Sequence, residues 1–158
     1  MIDDTDRQHL RRCVELAGEA VDAGDEPFGS ILVLGNGVVV AEDRNRIVER
    51  NDPTYHPELA LALLAARSLS LDERAAATVY TSGEHCQMCS AAHAWAGLGR
   101  IVFASSSVQL GEWLTELGLP PGPVANLPIS AVAPDVPTDG PVPEFAAEIR
   151  ALHVRLRT

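Results

Sequence analysis

Three residues of this chain could bind one metal ion, and a fourth could move protons beside it. His56 and Glu58 stand two residues apart, and Cys86 and Cys89 follow in a Cys-Gln-Met-Cys segment. One imidazole and two thiolates fill three positions of a tetrahedral zinc site and leave the fourth open for water, which distinguishes a catalytic zinc site from a structural one. Glu58 is not needed as a ligand, so it could accept a proton from that water and return it to a leaving group. The pattern predicts a hydrolytic zinc site.

The types of the three ligands indicate which metal the site would hold, and they leave an alternative to a catalytic zinc site. Two thiolates and an imidazole favour Zn²⁺ over magnesium or calcium because these ligands are soft, although iron or cobalt can occupy the same ligands in vitro. A Cys-x-x-Cys segment by itself is also typical of a structural zinc site or a redox pair. A non-catalytic, zinc-stabilised binding module therefore stays an alternative, and Glu58 is the residue that such a module would not require.

Both halves of the pattern are predicted to begin helices. Pro57 suits a first helical turn, and the nearly continuous apolar run over 57–69 indicates a helix buried on most sides. Residues 87–98 are predicted to form a helix between strands at 78–81 and 101–104. Strand, helix and strand in this order favour a parallel pair with a crossover helix.

The sequence before His56 predicts a helix and a hairpin. Apolar residues recur at helical spacing over 6–23, with Asp6 as the predicted cap, and runs at 28–34 and 38–41 flank a Gly-Asn-Gly turn. The sheet therefore begins antiparallel and ends parallel. The predicted fold class is α/β, a three-layer α/β/α sandwich with a mixed central sheet.

The C-terminal third has a different composition. Residues 108–117 are predicted to form a helix, and residues 119–143 hold eight of the eleven prolines, so they are predicted to form an extended strap on the surface without a long helix. A last helix is predicted over 143–156. With 158 residues and 46% hydrophobic content, we expect one domain that spans residues 1–158.

Composition limits the partners. The net charge of −10 argues against nucleic acid, because binding of nucleic acid depends on clustered basic residues. No segment approaches the roughly 20 apolar residues that cross a bilayer, and the N-terminus is acidic where a signal peptide would be basic, so we expect no membrane partner and a cytoplasmic protein.

Three cysteines cannot all pair, and Cys13 is predicted to be a small buried hydrophobe.

His-x-Glu followed by Cys-x-x-Cys resembles the motif of the zinc-dependent cytidine deaminase-like superfamily, and the resemblance extends over about residues 7–118. It implies that His56, Cys86 and Cys89 hold Zn²⁺ and that Glu58 shuttles protons during a hydrolytic deamination that releases ammonia. It also implies a homodimer, since members of the superfamily commonly pair.

Segments outside the metal motif resemble the guanine deaminase and nucleoside deaminase branch. These are residues 26–30, around Pro-Phe-Gly, and residues 51–56, which end in Asp-Pro-Thr-Tyr-His. By this resemblance Asn45 contacts a heterocycle, since an amide both donates and accepts hydrogen bonds. Phe28 or Trp113 could stack on that ring.

Substitutions within these motifs broaden the expected substrate. Pro57 replaces the alanine of the family pattern, and the acidic segment typical of guanine deaminases is missing near Trp113. We expect a free nucleobase or a related small aminated heterocycle, guanine-like, cytosine-like or aminotriazine-like. A tRNA adenosine deaminase or a cytidine deaminase is the alternative, and the negative charge disfavours tRNA.

The other histidines receive separate predictions. His9 and His153 lie on amphipathic helices and are predicted to be at the surface, whereas His93 is predicted to be a packed or hydrogen-bonded core residue. His85 takes the position where the family pattern has proline before the first cysteine. It is predicted to be either a donor behind the metal ligands or an exposed bystander.

Overall fold

A five-stranded mixed sheet forms the centre of the computed structural model, which describes all 158 residues. The strands lie in the order β2-β1-β3-β4-β5. β1 is antiparallel to both β2 and β3, whereas β4 is parallel to β3 and to β5. The strands are β1 (Gly29–Val33), β2 (Val39–Arg44), β3 (Thr78–Gly83), β4 (Arg100–Ser105) and β5 (Thr138–Asp139). The predicted antiparallel start and parallel end of the sheet are confirmed.

Helices cover both faces of the sheet. α1, α5 and α7 lie on one face, and α2, α4 and α6 lie on the other. The helices are α1 (Asp4–Asp22), α2 (Pro57–Ser68), α3 (Leu71–Ala76), α4 (Gln87–Ala96), α5 (Ser107–Glu116), α6 (Ile129–Val132) and α7 (Ala146–Arg157), with a 3₁₀ turn at Pro143–Phe145. The α/β/α sandwich is therefore confirmed. None of these helices combines the length and the apolar character needed to cross a membrane.

Side chains of successive residues in one strand point to opposite faces of the sheet, because the strand is pleated. Ile31 and Val33 pack under α1, where Cys13 is fully buried as predicted. Leu32, between them in β1, packs under α2 instead. Residues of one parity in β1 and β3 therefore belong to the α1 side, and residues of the other parity belong to the α2 side.

The α2 helix is less buried than its apolar sequence predicts. Leu61 and Ala65 pack against the sheet, but Leu63 and Leu64 are 44% and 39% exposed. The prediction of a helix buried on most sides is therefore wrong for the chain by itself. Only the inward side of α2 has the sheet and α4 to pack against.

The α1 helix begins two residues earlier than predicted, and Asp3 rather than Asp6 is its cap. Asp3 and Asp6 form a capping box, in which each carboxylate accepts a hydrogen bond from the other residue's backbone N–H. Asp6 is buried because its carboxylate also accepts hydrogen bonds from Tyr80 in β3 and Arg100 in β4. The spacing that predicts a cap carries no information about hydrogen-bond partners in distant strands, so it could not identify the role of Asp6.

The proline-rich segment divides into an exposed half and a packed half. Residues 120–128 are exposed and contain no helix or strand, as predicted for a surface strap. Ile129 and Ala133 are buried against Phe103 of β4, and the two-residue strand β5 adds to the edge of the sheet. α3, α6 and β5 are too short to give a periodic pattern in the sequence, so they were not predicted.

Candidate active site

The three metal-ligand candidates lie at the first turns of two adjacent helices. His56 is the N-cap of α2, with Pro57 as its first residue, and Cys86 is the N-cap of α4. Neither cap uses its side chain to satisfy the helix backbone, so the imidazole and the thiol are left for another partner. α2 and α4 pack side by side, which brings the two N-termini together. The sequence prediction that each half of the motif begins a helix is confirmed.

The donor atoms have the spacing of a tetrahedral zinc site. His56 Nδ1 lies 3.5 Å from Cys86 Sγ and 3.6 Å from Cys89 Sγ. Typical zinc–nitrogen and zinc–sulfur bonds at a tetrahedral angle require about 3.6 Å between these atoms. The three donor atoms lie within 4.8 Å of one another. The residues therefore fit Zn²⁺ in chemistry and in spacing.

The electrostatics of the cluster favour a charged thiolate. The two thiols share a hydrogen bond, which lowers the pKa of Cys86 to about 4 and, together with burial, raises the pKa of Cys89. The hydrogen bond to Cys86, with a contribution from the negative charge of Glu58, raises the pKa of His56. The low pKa of one thiol and the raised pKa of the imidazole both mean that the cluster attracts positive charge. A site for a cation requires this electrostatic environment.

Glu58 lies behind the ligands and is 5% exposed. Its Oε1 accepts hydrogen bonds from the hydroxyls of Ser30 and Thr81, at 3.1 and 2.8 Å. Its Oε2 lies 3.8 Å from Cys89 Sγ, on the side of the ligand cluster. Burial raises the pKa of this carboxyl group. One oxygen is thus held by the sheet, and the other is left for chemistry beside the ligands.

Sequence reasoning did not assign a role to Ser30 and Thr81. They sit opposite each other in the β1–β3 ladder, and their hydroxyls are 3.0 Å apart. Both are fully buried. A hydroxyl residue in the middle of a buried strand is the signal that could have identified them, since a buried hydroxyl requires a partner.

Asn45 follows β2 and is 2% exposed. Its backbone N–H donates to Phe28 O at 2.9 Å, and its Oδ1 accepts from the backbone N–H of Ile47 at 3.2 Å. The amide nitrogen Nδ2 has no hydrogen-bond partner and is not completely enclosed. The hydrogen bond at Oδ1 therefore fixes the Asn45 side chain, and the Nδ2 donor remains free.

The two aromatic candidates lie in different surroundings. The Phe28 ring lies against Gly83, at the end of β3, where a Cβ would approach the ring to 2.8 Å. Trp113 is 8% exposed and packs into the core on the α1 side of the sheet, the face opposite to Glu58. The structure therefore does not bring Trp113 to the ligand cluster, because α5 uses it to pack against the sheet.

Three of the four remaining histidines test separate predictions. His93 is buried, and its Nε2 donates to Gly99 O at 2.8 Å, so the prediction of a hydrogen-bonded core residue is confirmed. His153 is 1% exposed between Phe28 and Trp113, so its predicted surface position is wrong. His85 is also 1% exposed, which excludes the exposed bystander, and its ring packs edge-on against His93 without a hydrogen bond.

Comparisons with known proteins agree with this geometry. Residues 4–126 match the model of the MafB19-like deaminase family. A probable cytosine deaminase from Schizosaccharomyces pombe is 31% identical and covers 90% of this chain and 91% of its own length. The guanine deaminase of Bacillus subtilis is 36% identical over 65% of this chain and 66% of its own length. A tRNA-specific adenosine deaminase from Agrobacterium fabrum is 32% identical over 67% of this chain and 70% of its own length.

A solved structure shows the same fold over almost the whole chain. The guanine deaminase from Nitrosomonas europaea superposes with a TM-score of 0.68 at 21% identity, covering 98% of this chain and 86% of its own. The family match and the relatives identify a hydrolase that acts on carbon–nitrogen bonds. The chain belongs to the MafB19-like deaminase family, within the cytidine deaminase-like superfamily.

Proposed function

We propose that this protein is a zinc-dependent deaminase of a free nucleobase or a related small aminated heterocycle, guanine-like, cytosine-like or aminotriazine-like. The observation that carries the proposal is the position of Glu58, with one oxygen held by two hydroxyls and the other beside the ligand cluster. A site built only to stabilise the fold has no use for a buried carboxylate at this place, because burying a charge is costly.

In this proposal His56, Cys86 and Cys89 hold Zn²⁺, and Glu58 moves the protons. Bound zinc would act as a Lewis acid that makes water a nucleophile at neutral pH. Glu58 would accept a proton at Oε2 and deliver it to the departing amine, while Ser30 and Thr81 keep Oε1 in place. Because burial raises the pKa of Glu58, its protonated form is easier to reach during turnover than that of an exposed glutamate.

Asn45 and Phe28 are the proposed substrate contacts. Since Oδ1 of Asn45 already accepts the Ile47 N–H, its free Nδ2 is suited to an acceptor of the heterocycle, a ring nitrogen or a carbonyl oxygen. Phe28, which is partly exposed at the start of β1, offers a ring on which a flat base can stack. Relatives named for cytosine and for guanine support both ring sizes as candidates.

The test is ammonia release from zinc-loaded protein with guanine, cytosine, adenine, aminotriazines and the corresponding nucleosides. We expect turnover of one or more free bases and none with Glu58→Ala, which serves as the blank. Zinc content is measured on both proteins, so that loss of metal is not mistaken for loss of the proton shuttle. Inactivity across the panel at one zinc per chain would contradict the proposed substrate class and favour a non-catalytic zinc module.

A tRNA adenosine deaminase is the second candidate, because three relatives carry that name. The net charge of −10 opposes it, since binding of tRNA depends on neutralising phosphates. A tRNA substrate assayed beside the free bases separates the two functions. Deamination of tRNA without activity on any base would replace the proposed function.

A further inference from the structure

Glu84 lies two residues before Cys86 and binds two segments from the C-terminal third of the chain. Its Oε2 accepts the backbone N–H of Ser107 at 2.8 Å, and its Oε1 accepts that of Ile129 at 2.9 Å. Ser107 is the first residue of α5, and Ile129 is the first residue of α6. We propose that Glu84 is a positioning residue for the zinc site, because these two hydrogen bonds fix the loop that carries Cys86. The inference rests on the proposed function, which places zinc on this loop.

The bond from Glu84 to α5 joins two elements and does not serve as the helix cap. The first N–H groups of a helix have no acceptor within the helix, and a carboxylate is a strong acceptor for them. α5 already has a complete cap, because Ser106 and Gln109 form a capping box in which each side chain accepts the other residue's backbone N–H. The contact with Ser107 is therefore additional, and it fastens the metal-ligand loop to α5.

The loop between β3 and α4 is only three residues long, Glu84, His85 and Cys86. At its start, the Glu84 N–H donates to Ser105 O at 2.8 Å. At its end, the Ser90 N–H donates to Cys86 O at 2.8 Å, and the Ser90 hydroxyl donates to His85 O at 3.3 Å. The Glu84 side chain adds the contact that holds the middle of the fold's C-terminal third against this loop. A ligand held in its binding geometry loses less entropy when the metal binds, so it should retain the metal longer.

The exposed proline-rich strap, residues 120–128, is fastened at the same place. Gln87, in the first turn of α4, donates from Nε2 to Leu127 O at 2.9 Å. Asn126 donates from Nδ2 to Ser107 O at 2.8 Å. The strap thereby connects the start of α4 to the start of α5. Proline restricts the backbone before any contact forms, so such a segment loses little entropy when it is held in place.

Positioning and simple stabilisation of the fold differ in their effect on zinc. If Glu84 only stabilises the fold, its substitution lowers the melting temperature and leaves the rate of zinc release from the folded protein unchanged. If Glu84 positions Cys86, its substitution accelerates zinc release at temperatures where the protein is fully folded. The rate of release does not require a substrate, so it can be measured independently of deaminase activity.

The first test is zinc release into an excess of chelator, from the wild type and from Glu84→Gln, well below the melting temperature. Glutamine keeps the shape of the side chain but turns an NH₂ group towards one of the two backbone N–H groups. We expect release about 10-fold faster, the lower end of the effect of residues that orient metal ligands. The matched control is Glu73→Gln, because Glu73 also accepts a backbone N–H, from Ser70 at 2.8 Å, but caps α3 beyond the far end of α2.

The second test removes the same hydrogen bond from its other side, with Ser107→Pro. Proline has no N–H and is tolerated at the first position of a helix, and Ser106 before it already has the extended backbone that proline requires. We expect faster zinc release, and a double variant with Glu84→Gln that is little faster than the faster single variant, because both changes act on one contact. Leu71→Pro is the control, since Leu71 is exposed and holds the first position of α3.

The outcomes separate this inference from the proposed function. Wild-type release rates in folded, zinc-loaded Glu84→Gln and Ser107→Pro would overturn the inference, reduce Glu84 to a stabilising contact and leave the proposed function intact. Rates that multiply in the double variant would show that the two residues act independently, which would also overturn it. A wild type that binds no zinc would contradict the proposed function first, and the inference with it.

Discussion

At the scale of single residues, Glu58 is held by two hydroxyls that belong to the sheet. Ser30 and Thr81 project from neighbouring strands and bind the same carboxylate oxygen. The other oxygen is thereby oriented towards Cys89 Sγ, 3.8 Å away. A proton shuttle requires one mobile proton site in a fixed position, and this arrangement supplies it.

Substitution Glu58→Gln is expected to leave the zinc site intact and to abolish proton transfer. Glutamine has the same shape and can still receive the Thr81 hydrogen bond, but it cannot accept and return a proton. We expect one zinc per chain and a loss of turnover of about 10²–10⁴-fold, the usual contribution of a general acid–base group. Ammonia release and metal content are the measurements, with Glu112→Gln on the exposed side of α5 as the control. A near-normal rate would show that Glu58 has another role.

At the scale of elements, the loop between β2 and α2 is fixed by one buried carboxylate. Asp25 is fully buried and accepts the backbone N–H groups of Val48 and Glu49, at 2.7 and 3.2 Å. It also pairs with Arg44 at 2.9 Å, and the same Arg44 nitrogen donates to Asn45 O at 2.9 Å. Asp25 therefore positions Asn45 from outside the site.

Substitution Asp25→Asn should loosen this loop and weaken substrate binding more than chemistry. One amide oxygen replaces two carboxylate oxygens, and the amide NH₂ faces donors, so some buried donors lose their partner. We expect KM to rise about 10-fold with the base found active, and kcat to change much less.

The control for Asp25→Asn is Glu42→Gln, since Glu42 lies on β2, the strand that holds Arg44, is exposed and pairs with Arg12. Zinc content and melting temperature are measured on both variants. An equal fall in kcat and kcat/KM would show that Asp25 supports the chemical step instead of positioning Asn45.

An element can be predicted from the sequence when the residues that determine it lie close together along the chain. α2 and α4 and the strands beside them follow from apolar periodicity and from residues such as Pro57, which act within one turn. The ligand set follows from chemistry and order along the chain. The loop held by Asp25 and the pair of Ser30 and Thr81 depend on contacts between distant residues, which spacing does not encode.

At the scale of the whole molecule, the two faces of the sheet have separate tasks. The α1 face holds the larger apolar core, to which Trp113 belongs, and the α2 face holds Glu58 and the metal ligands. Asp6 connects α1 to β3 and β4 through Tyr80 and Arg100. His153, from the last helix, belongs to the α1 face and closes the core beside Phe28.

The buried position of His153 predicts that acid destabilises the fold. Burial, with a smaller effect of the positive Arg157, lowers the pKa of His153 to about 4 from an ordinary value of 6.5. Above pH 6.5 neither the folded nor the unfolded chain protonates this ring, so it makes no pH-dependent contribution there. Between pH 6.5 and 4 only the unfolded chain gains the proton, and the free energy of unfolding falls as the pH falls.

The change over this window is on the order of 3 kcal/mol, since each pKa unit corresponds to about 1.4 kcal/mol. Substitution His153→Phe keeps an aromatic ring between Phe28 and Trp113 but cannot bind a proton. Urea unfolding of both proteins from pH 8 to pH 4 should give stabilities that run parallel above pH 6.5. Below that pH the wild type should lose about 3 kcal/mol more than the variant. Parallel curves over the whole range would mean that His153 is protonated as readily in the folded chain as in the unfolded one.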